Sequence, residues 1–288
     1  MLIRMFRGIL LFPRGEMRGS IVFLGTVVLL TTACSARPAA PSVQEASKAS
    51  SGQEATVRAA VAATVKSAAG IDERIEMGDG TKTMVLTMRG ALDVGADKGQ
   101  MKVALQMDGS GKAARSEQIF AGDTAYFRMM EAVDGDTAWR SVPRAETQSH
   151  YMFRAPLNDP KYVLDQVARM RGAKKAGEET INGVPATRYR GKLDHETLKL
   201  RMVEDKAVAL DTLRDQLGKD IPATAEAWVD QQGRVIRARL HCPLGQGKAA
   251  AATVTMNLLD VGKPVTAPAA PPRRQSMPAI TVGGPLTG

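Results

Sequence analysis

Side chains suited to acid–base, nucleophilic or metal chemistry are few in this chain. Its three histidines, His150, His195 and His241, lie far apart, and no two stand at metal-ligand spacing. Asp194-His195-Glu196 is a compact polar triplet, but adjacent residues of a helix or strand point in different directions, so it reads as a solvated surface run. Cys242 follows His241, and sequence proximity alone does not make a nucleophile; a free buried cysteine at a strand end is expected. Gly109-Ser110-Gly111-Lys112 lacks the first glycine and the final Ser/Thr of a phosphate loop, and matches a hairpin loop instead. No Gly-x-Ser-x-Gly elbow, dinucleotide fingerprint or paired-cysteine zinc site occurs. The expectation is a protein that is not an enzyme, with no catalytic residue, no metal ligand and no cofactor.

Cys34 carries the most specific chemistry. Arg18 precedes a charge-free run of ten residues, Ile21 to Leu30, apolar except at Gly25-Thr26. That length fits a signal-peptide core and falls short of the ~20 residues a membrane-spanning helix needs. Thr31-Thr32-Ala33-Cys34 follows, and small residues ending in Ala before Cys resemble a bacterial lipobox, whose cysteine is acylated and becomes the new N-terminus. The lipobox favours Leu three residues before the cysteine; here Thr31 stands there, with Leu30 one step earlier. The alternative is an ordinary secretory signal with a chance cysteine. Translation from Met17 would give a compact signal, leaving residues 1–16 as an upstream extension.

Length and composition fit this picture. The chain has 288 residues, 44% hydrophobic and 24% charged, which is the balance of a globular protein. Its formal charge is +9; removing residues 1–33, with four arginines and one glutamate, leaves +6. So mild an excess on an exported chain argues against a nucleic-acid partner and fits a solvated surface near anionic envelope polymers.

Four segments follow. Residues 1–33 are read as a lipoprotein signal peptide and 34–52, small, polar and proline-bearing, as a lipid-anchored flexible tether. Residues 53–262 form one folded domain. Residues 263–288 hold six prolines and no aromatic residue, and read as a disordered tail.

Within the domain, apolar positions from Glu54 to Ala69 recur at three and four residues before Gly70, predicting a helix. The period then becomes two. Met84, Leu86 and Met88 alternate with Val85, Thr87 and Arg89, and Met101, Val103, Leu105 and Met107 with Lys102, Ala104, Gln106 and Asp108. Segments 119–121 and 125–130 follow, joined at Gly122-Asp123. Asp159 is expected to cap a second helix with Pro160 at its first position. Asn182-Gly183 marks a hairpin. Residues 194–218 read as one or two helices; strands at 223–230 and 234–241, joined by Gln231-Gln232-Gly233, and a last strand at 250–260 complete the domain. The order is helix, four strands, helix, two strands, helix, three strands. Hairpin-joined strands interrupted by helices predict an α+β fold with one curved antiparallel β-sheet covered on one face by helices.

Two strand-turn-strand segments, Glu179-Thr180-Ile181-Asn182-Gly183-Val184-Pro185-Ala186-Thr187-Arg188-Tyr189 and Ala227 to Arg237, add to the lipobox-like Cys34 and to the early helix before a strand meander. Together they resemble the actinobacterial LppX/LprA/LprF/LprG lipoproteins of LolA/LolB-like fold. The resemblance implies a half-barrel with helices across its mouth and a hydrophobic cavity for acyl chains. The candidate lining is Met84, Leu86, Met88, Met101, Val103, Leu105, Met107, Phe127, Met129, Val254, Met256 and Leu258. Methionine is flexible and polarizable, which suits variable apolar ligands, although it also fills ordinary cores. The expected function is an extracytoplasmic lipoprotein, held on the cell membrane by acylated Cys34, that binds or transfers lipid. The alternative is an envelope interaction or sensor lipoprotein with a filled core and no lipid ligand.

Overall fold

The structure is a computed structural model that describes residues 43–79, 81–107, 114–130, 137–143, 160–202, 204–243, 250–272 and 275–276. Residues 1–42, with the signal-like run and Cys34, lie outside them, as do His150 and Asp159.

Helix α1 spans Val43–Thr64. Val57, Ala60, Val61 and Thr64, spaced three and four apart, are its buried stripe. It starts earlier than the apolar period indicates, so residues 43–52, expected as tether, are helical. Glu54 Oε1 accepts from the Gly172 N–H at 2.7 Å and Gln53 Oε1 from the Lys175 N–H at 2.6 Å, so α1 occupies donors of an edge strand.

Strands β1 (Ala68–Asp79), β2 (Thr83–Asp93), β3 (Lys98–Met107), β4 (Ala114–Ala121), β5 (Thr124–Met129) and β6 (Arg140–Pro143) run as an antiparallel meander. Helix α2 (Lys161–Ala168) leads into the hairpin of β7 (Arg171–Ile181) and β8 (Val184–Lys192). Helices α3 (His195–Leu198) and α4 (Glu204–Leu217) precede β9 (Thr224–Asp230), β10 (Val235–Pro243) and β11 (Ala250–Leu259). A two-residue strand β12, Gln275–Ser276, lies parallel to β6. The single sheet has the order β12-β6-β5-β4-β3-β2-β1-β11-β10-β9-β8-β7. The long-range pairing of β1 with β11 thus joins the two halves.

The α+β architecture, one curved antiparallel sheet with helices on one face, is the predicted one. Four details differ, and one is β6, which was not expected. β1 was not expected, because Asp72, Glu73, Arg74 and Glu76 crowd its sequence. Pro160 sits at the cap of α2 rather than inside it, with no side-chain cap bond. Gln275–Ser276, inside the expected tail, adds to the sheet edge.

Helix packing is lopsided. α1 rests on β7 and α2, with lesser contact to β9 and β10; α2 rests on β10 and β9. Beneath them, fully buried Ala225, Ala227 and Ala238 let helix and sheet approach closely. The methionine-bearing strands β2 and β3 lie on the other side of β1. Glycines mark a tight passage there. A Cβ on Gly90 would collide with the Gln100 carbonyl oxygen, and one on Gly99 with that of Ala91, so β2 and β3 tolerate no side chain at these close approaches.

Candidate functional site

Because side chains alternate along a strand, cross-strand partners share a face. One continuous row therefore runs Met129, Ser116, Val103, Met88, Glu73, Met256, Ala238, Ala227 across β5, β4, β3, β2, β1, β11, β10 and β9. A parallel row brings Leu105, Leu86, Ile75, Val254 and Leu240 together. Met107, Met84 and Met77 align on one side of these rows, and Phe127, Gln118 and Met101 on the other. Leu258 lies opposite Ile71. All twelve candidate lining residues consequently sit on one face, on β2, β3, β5 and β11 in neighbouring rows around β1. Most are buried in the main hydrophobic cluster, while Met84 and Met107 are half-buried at its margin.

The opposite face carries the charge. Arg89 Nε meets Asp72 Oδ1 at 3.2 Å, and Arg128 Nη2 meets Glu117 Oε2 at 2.7 Å. Arg188 and Arg237 flank the Trp228 ring, and the Trp228 Nε1–H donates to Glu179 Oε2 at 3.0 Å. These are contacts of a solvated sheet surface, and the screening there keeps each pair weak.

The sequence reading missed what β1 adds to the inward face. Ala69, Ile71, Ile75 and Met77 alternate inward, and at the centre of that alternation stands Glu73. Glu73 is completely buried, and neither carboxyl oxygen has a hydrogen-bond partner among the described residues. Burial with no compensating charge raises its carboxyl from 4.5 to about 8, so it is mostly protonated at neutral pH. Among the described residues two further buried polar side chains share the face: Ser116 in the same row and Gln118, whose Oε1 has no partner there either. The available signal was a period-two apolar set interrupted by one carboxylate.

Histidines behave differently from one another. Asp194 caps α3 through the Thr197 N–H at 2.8 Å, which turns His195 inward. His195 is 4% exposed, and its Nε2 lies 2.5 Å from Asp211 Oδ1, which also receives Lys199 Nζ at 2.9 Å. These two hydrogen bonds hold the Asp211 carboxyl below its ordinary range. The expectation of a solvated run at 194–196 is thus corrected: only Glu196 is exposed. His241 Nδ1 pairs with Thr253 Oγ1 at 3.0 Å on the charged face, far along the chain from that cluster. Cys242 is free and buried at the penultimate position of β10, where burial pushes its thiol far up. Among the described residues, no three His, Cys, Asp or Glu side chains gather as a metal site, and no helix is long and apolar enough to cross a membrane.

Comparison with solved structures gives distant likenesses. LprF from Mycobacterium bovis is 15% identical, with 76% of this chain and 97% of that chain covered at a TM-score of 0.44. The lipoprotein LppX from Mycobacterium tuberculosis is also 15% identical, with 76% and 99% covered at a TM-score of 0.42. Such loose overlays carry no argument by themselves. No curated protein matches the chain. The model of one lipoprotein family, however, matches residues 53–267, which is nearly the whole of the sheet and its helices. The chain belongs to the LppX_LprAFG lipoprotein family.

Proposed function

We propose that this protein is a lipid-binding or lipid-transfer lipoprotein, anchored through an acylated Cys34 on the extracytoplasmic face of the cell membrane. One observation carries the reading: strands from both ends of the chain, joined through β1, build a single methionine-rich apolar face. On this reading residues 1–33 are a signal peptide, the chain from Cys34 to the start of α1 is the tether, and residues after the sheet are a tail. Binding is passive. An acyl chain laid against the face is held by burial, at ~0.8 kcal/mol per methylene, and no catalytic group is needed. Methionine side chains adjust to chains of differing shape.

Organic extraction of detergent-free protein, followed by mass spectrometry, is expected to recover co-purifying lipid. Recovery of none, from protein purified from its native envelope, would overturn the reading. Cys34→Ser is expected to move the protein from the membrane fraction to the extracytoplasmic soluble fraction and to abolish metabolic labelling with a fatty-acid probe. Unchanged labelling would exclude Cys34 as the acylated residue.

A second reading has its own support. Leu86, Met88 and Met101 are already covered by the chain itself, as in a filled core. An envelope sensor of that kind would yield no lipid, and cross-linking in cells would capture one dominant protein partner.

A further inference from the structure

We propose that Glu73 is a polar subsite within the apolar face, which hydrogen-bonds a hydroxyl group carried part-way along an otherwise aliphatic ligand. The inference rests on the lipid-binding reading and names a chemical feature of the ligand.

Apolar side chains surround the carboxyl. Its cross-strand neighbours are Met88 and Met256, and its neighbours along β1 on the same face are Ile71 and Ile75. Beyond the methionines come Val103 and Ala238. None of these side chains can donate or accept a conventional hydrogen bond. The charged residues next to Glu73 in sequence, Asp72 and Arg74, point to the opposite face and pair there with Arg89 and Glu76. No other residue of that face between Ala69 and Met77 of β1, or on β2 or β11, is titratable. Among the described residues the carboxyl therefore has no hydrogen-bond partner, and it is completely buried.

Buried polar atoms in native proteins nearly always have partners, and an orphan calls for an absent water, ion or ligand. One carboxyl among methionines is no metal site. Because burial raises its carboxyl to about 8, Glu73 is a neutral acid at pH 7 and offers one O–H donor and one carbonyl acceptor. The second orphan on the face, Gln118 Oε1, accepts only. Gln118 stands on β4, three strands from Glu73 on β1, about 14 Å at ~4.8 Å per strand, so the two mark separate points along an extended chain. A hydroxyl is the ligand group that both donates and accepts, and so satisfies either point. A ligand of pure hydrocarbon would leave both unpaired.

The test compares stearate with its mid-chain hydroxy derivative, each competing with a fluorescent aliphatic probe on delipidated, folded protein. The native protein is expected to favour the hydroxylated chain by about tenfold, the value of one hydrogen bond to an otherwise unpaired group. Glu73→Leu is expected to bind stearate undiminished and to lose the preference. Glu73→Gln, an amide that also donates and accepts, is expected to keep most of it. In the native protein the preference is expected to weaken above pH 8, where the carboxyl ionises and its donor is lost; in Glu73→Gln it stays level. Equal binding of the two chains by the native protein, or an unchanged preference in Glu73→Leu, would overturn the subsite while leaving lipid binding intact. Failure of either chain to displace the probe from any folded variant would overturn both readings.

Discussion

Replacing Glu73 with leucine is expected to make the protein more stable in alkaline solution, by on the order of 5 kcal/mol at pH 9 relative to the effect at pH 4. The sign follows from proton binding. The Glu73 carboxyl is raised from 4.5 to about 8 in the folded protein, whereas the unfolded chain loses its proton near the ordinary value. Between those values the folded state holds more protons than the unfolded one. Stability therefore falls as pH rises from about 4.5 to about 8, at roughly 1.4 kcal/mol per pH unit, and levels off above that. Glu73→Leu removes this slope. Other carboxylates also contribute to the pH profile, so the informative quantity is the difference between variant and native protein at each pH. Urea denaturation from pH 4 to pH 9 measures it. Parallel profiles would show that the carboxyl finds water or a partner in solution. In the acid limb the leucine variant is still expected to gain about 1–3 kcal/mol, because it removes two unpaired oxygens. A side chain this costly to bury, on the central strand of the sheet, is the kind of local inconsistency that marks a functional position.

Asp230→Ala is expected to cost about 3 kcal/mol at any pH near neutrality. Asp230 ends β9, and its fully covered carboxylate organises the turn into β10. It accepts from the Gln232 N–H at 3.0 Å, the Arg234 N–H at 2.8 Å, and Arg234 Nε and Nη2 at 2.9 and 2.7 Å. Arg234 in turn donates from Nη1 to the Val261 carbonyl at 2.7 Å, fastening this turn to the chain that leaves β11. Deleting the carboxylate leaves two backbone N–H groups and two guanidinium donors of Arg234 without their acceptor. About a third of the Arg234 side chain remains in water, which keeps the loss below that of a wholly buried pair. Next to it, the Val235 N–H donates to Thr64 Oγ1 at 2.8 Å, so a loosened turn also weakens the docking of α1 on β10. Asp230→Asn keeps an acceptor for the backbone N–H groups and is expected to lose less than half as much. Chemical denaturation of both variants, compared at equal m-value, decides it; equal losses would place the energy in the ion pair rather than the turn.

Turns and strands written in local chemistry were readable in advance. Asn182-Gly183 joins β7 to β8 with both residues in the left-handed region, at φ 51° and 82°, the conformation that this pair favours. Gly233, at φ 73°, closes the β9–β10 connection, and Gly122, at φ 66°, the β4–β5 one. Alternation placed Met84, Leu86 and Met88 on one side of β2, and the β2–β3 register sets them against Met107, Leu105 and Val103. Each of these signals is carried by residues only a few positions apart. The buried stripe of α1 was equally legible, although its start was not, because residues 43–52 hold no apolar period.

Local sequence signals carry the fold class, most hairpins, and a set of apolar residues of one parity. They also indicate the family, through segments that are themselves hairpins. That those residues share one face follows from the strand pairing of the folded sheet. That outcome depends on β1 pairing with β2 on one side and with β11 on the other, across separations from 171 residues (Asp79 to Ala250) to 189 (Gly70 to Leu259). No local spacing encodes such a partner, since register between distant strands is fixed by burying whole faces together. The same pairing decided the fate of Glu73. In a charged stretch it reads as one more solvated carboxylate; with Met88 and Met256 closed over it from both sides, it becomes the one acid in an apolar row. His195 shows the rule on a smaller scale. The Asp194 cap and the approach of Asp211 on α4 turn a residue from an apparently solvated run inward, because burial is set by what packs against a position and not by the polarity of its neighbours in sequence.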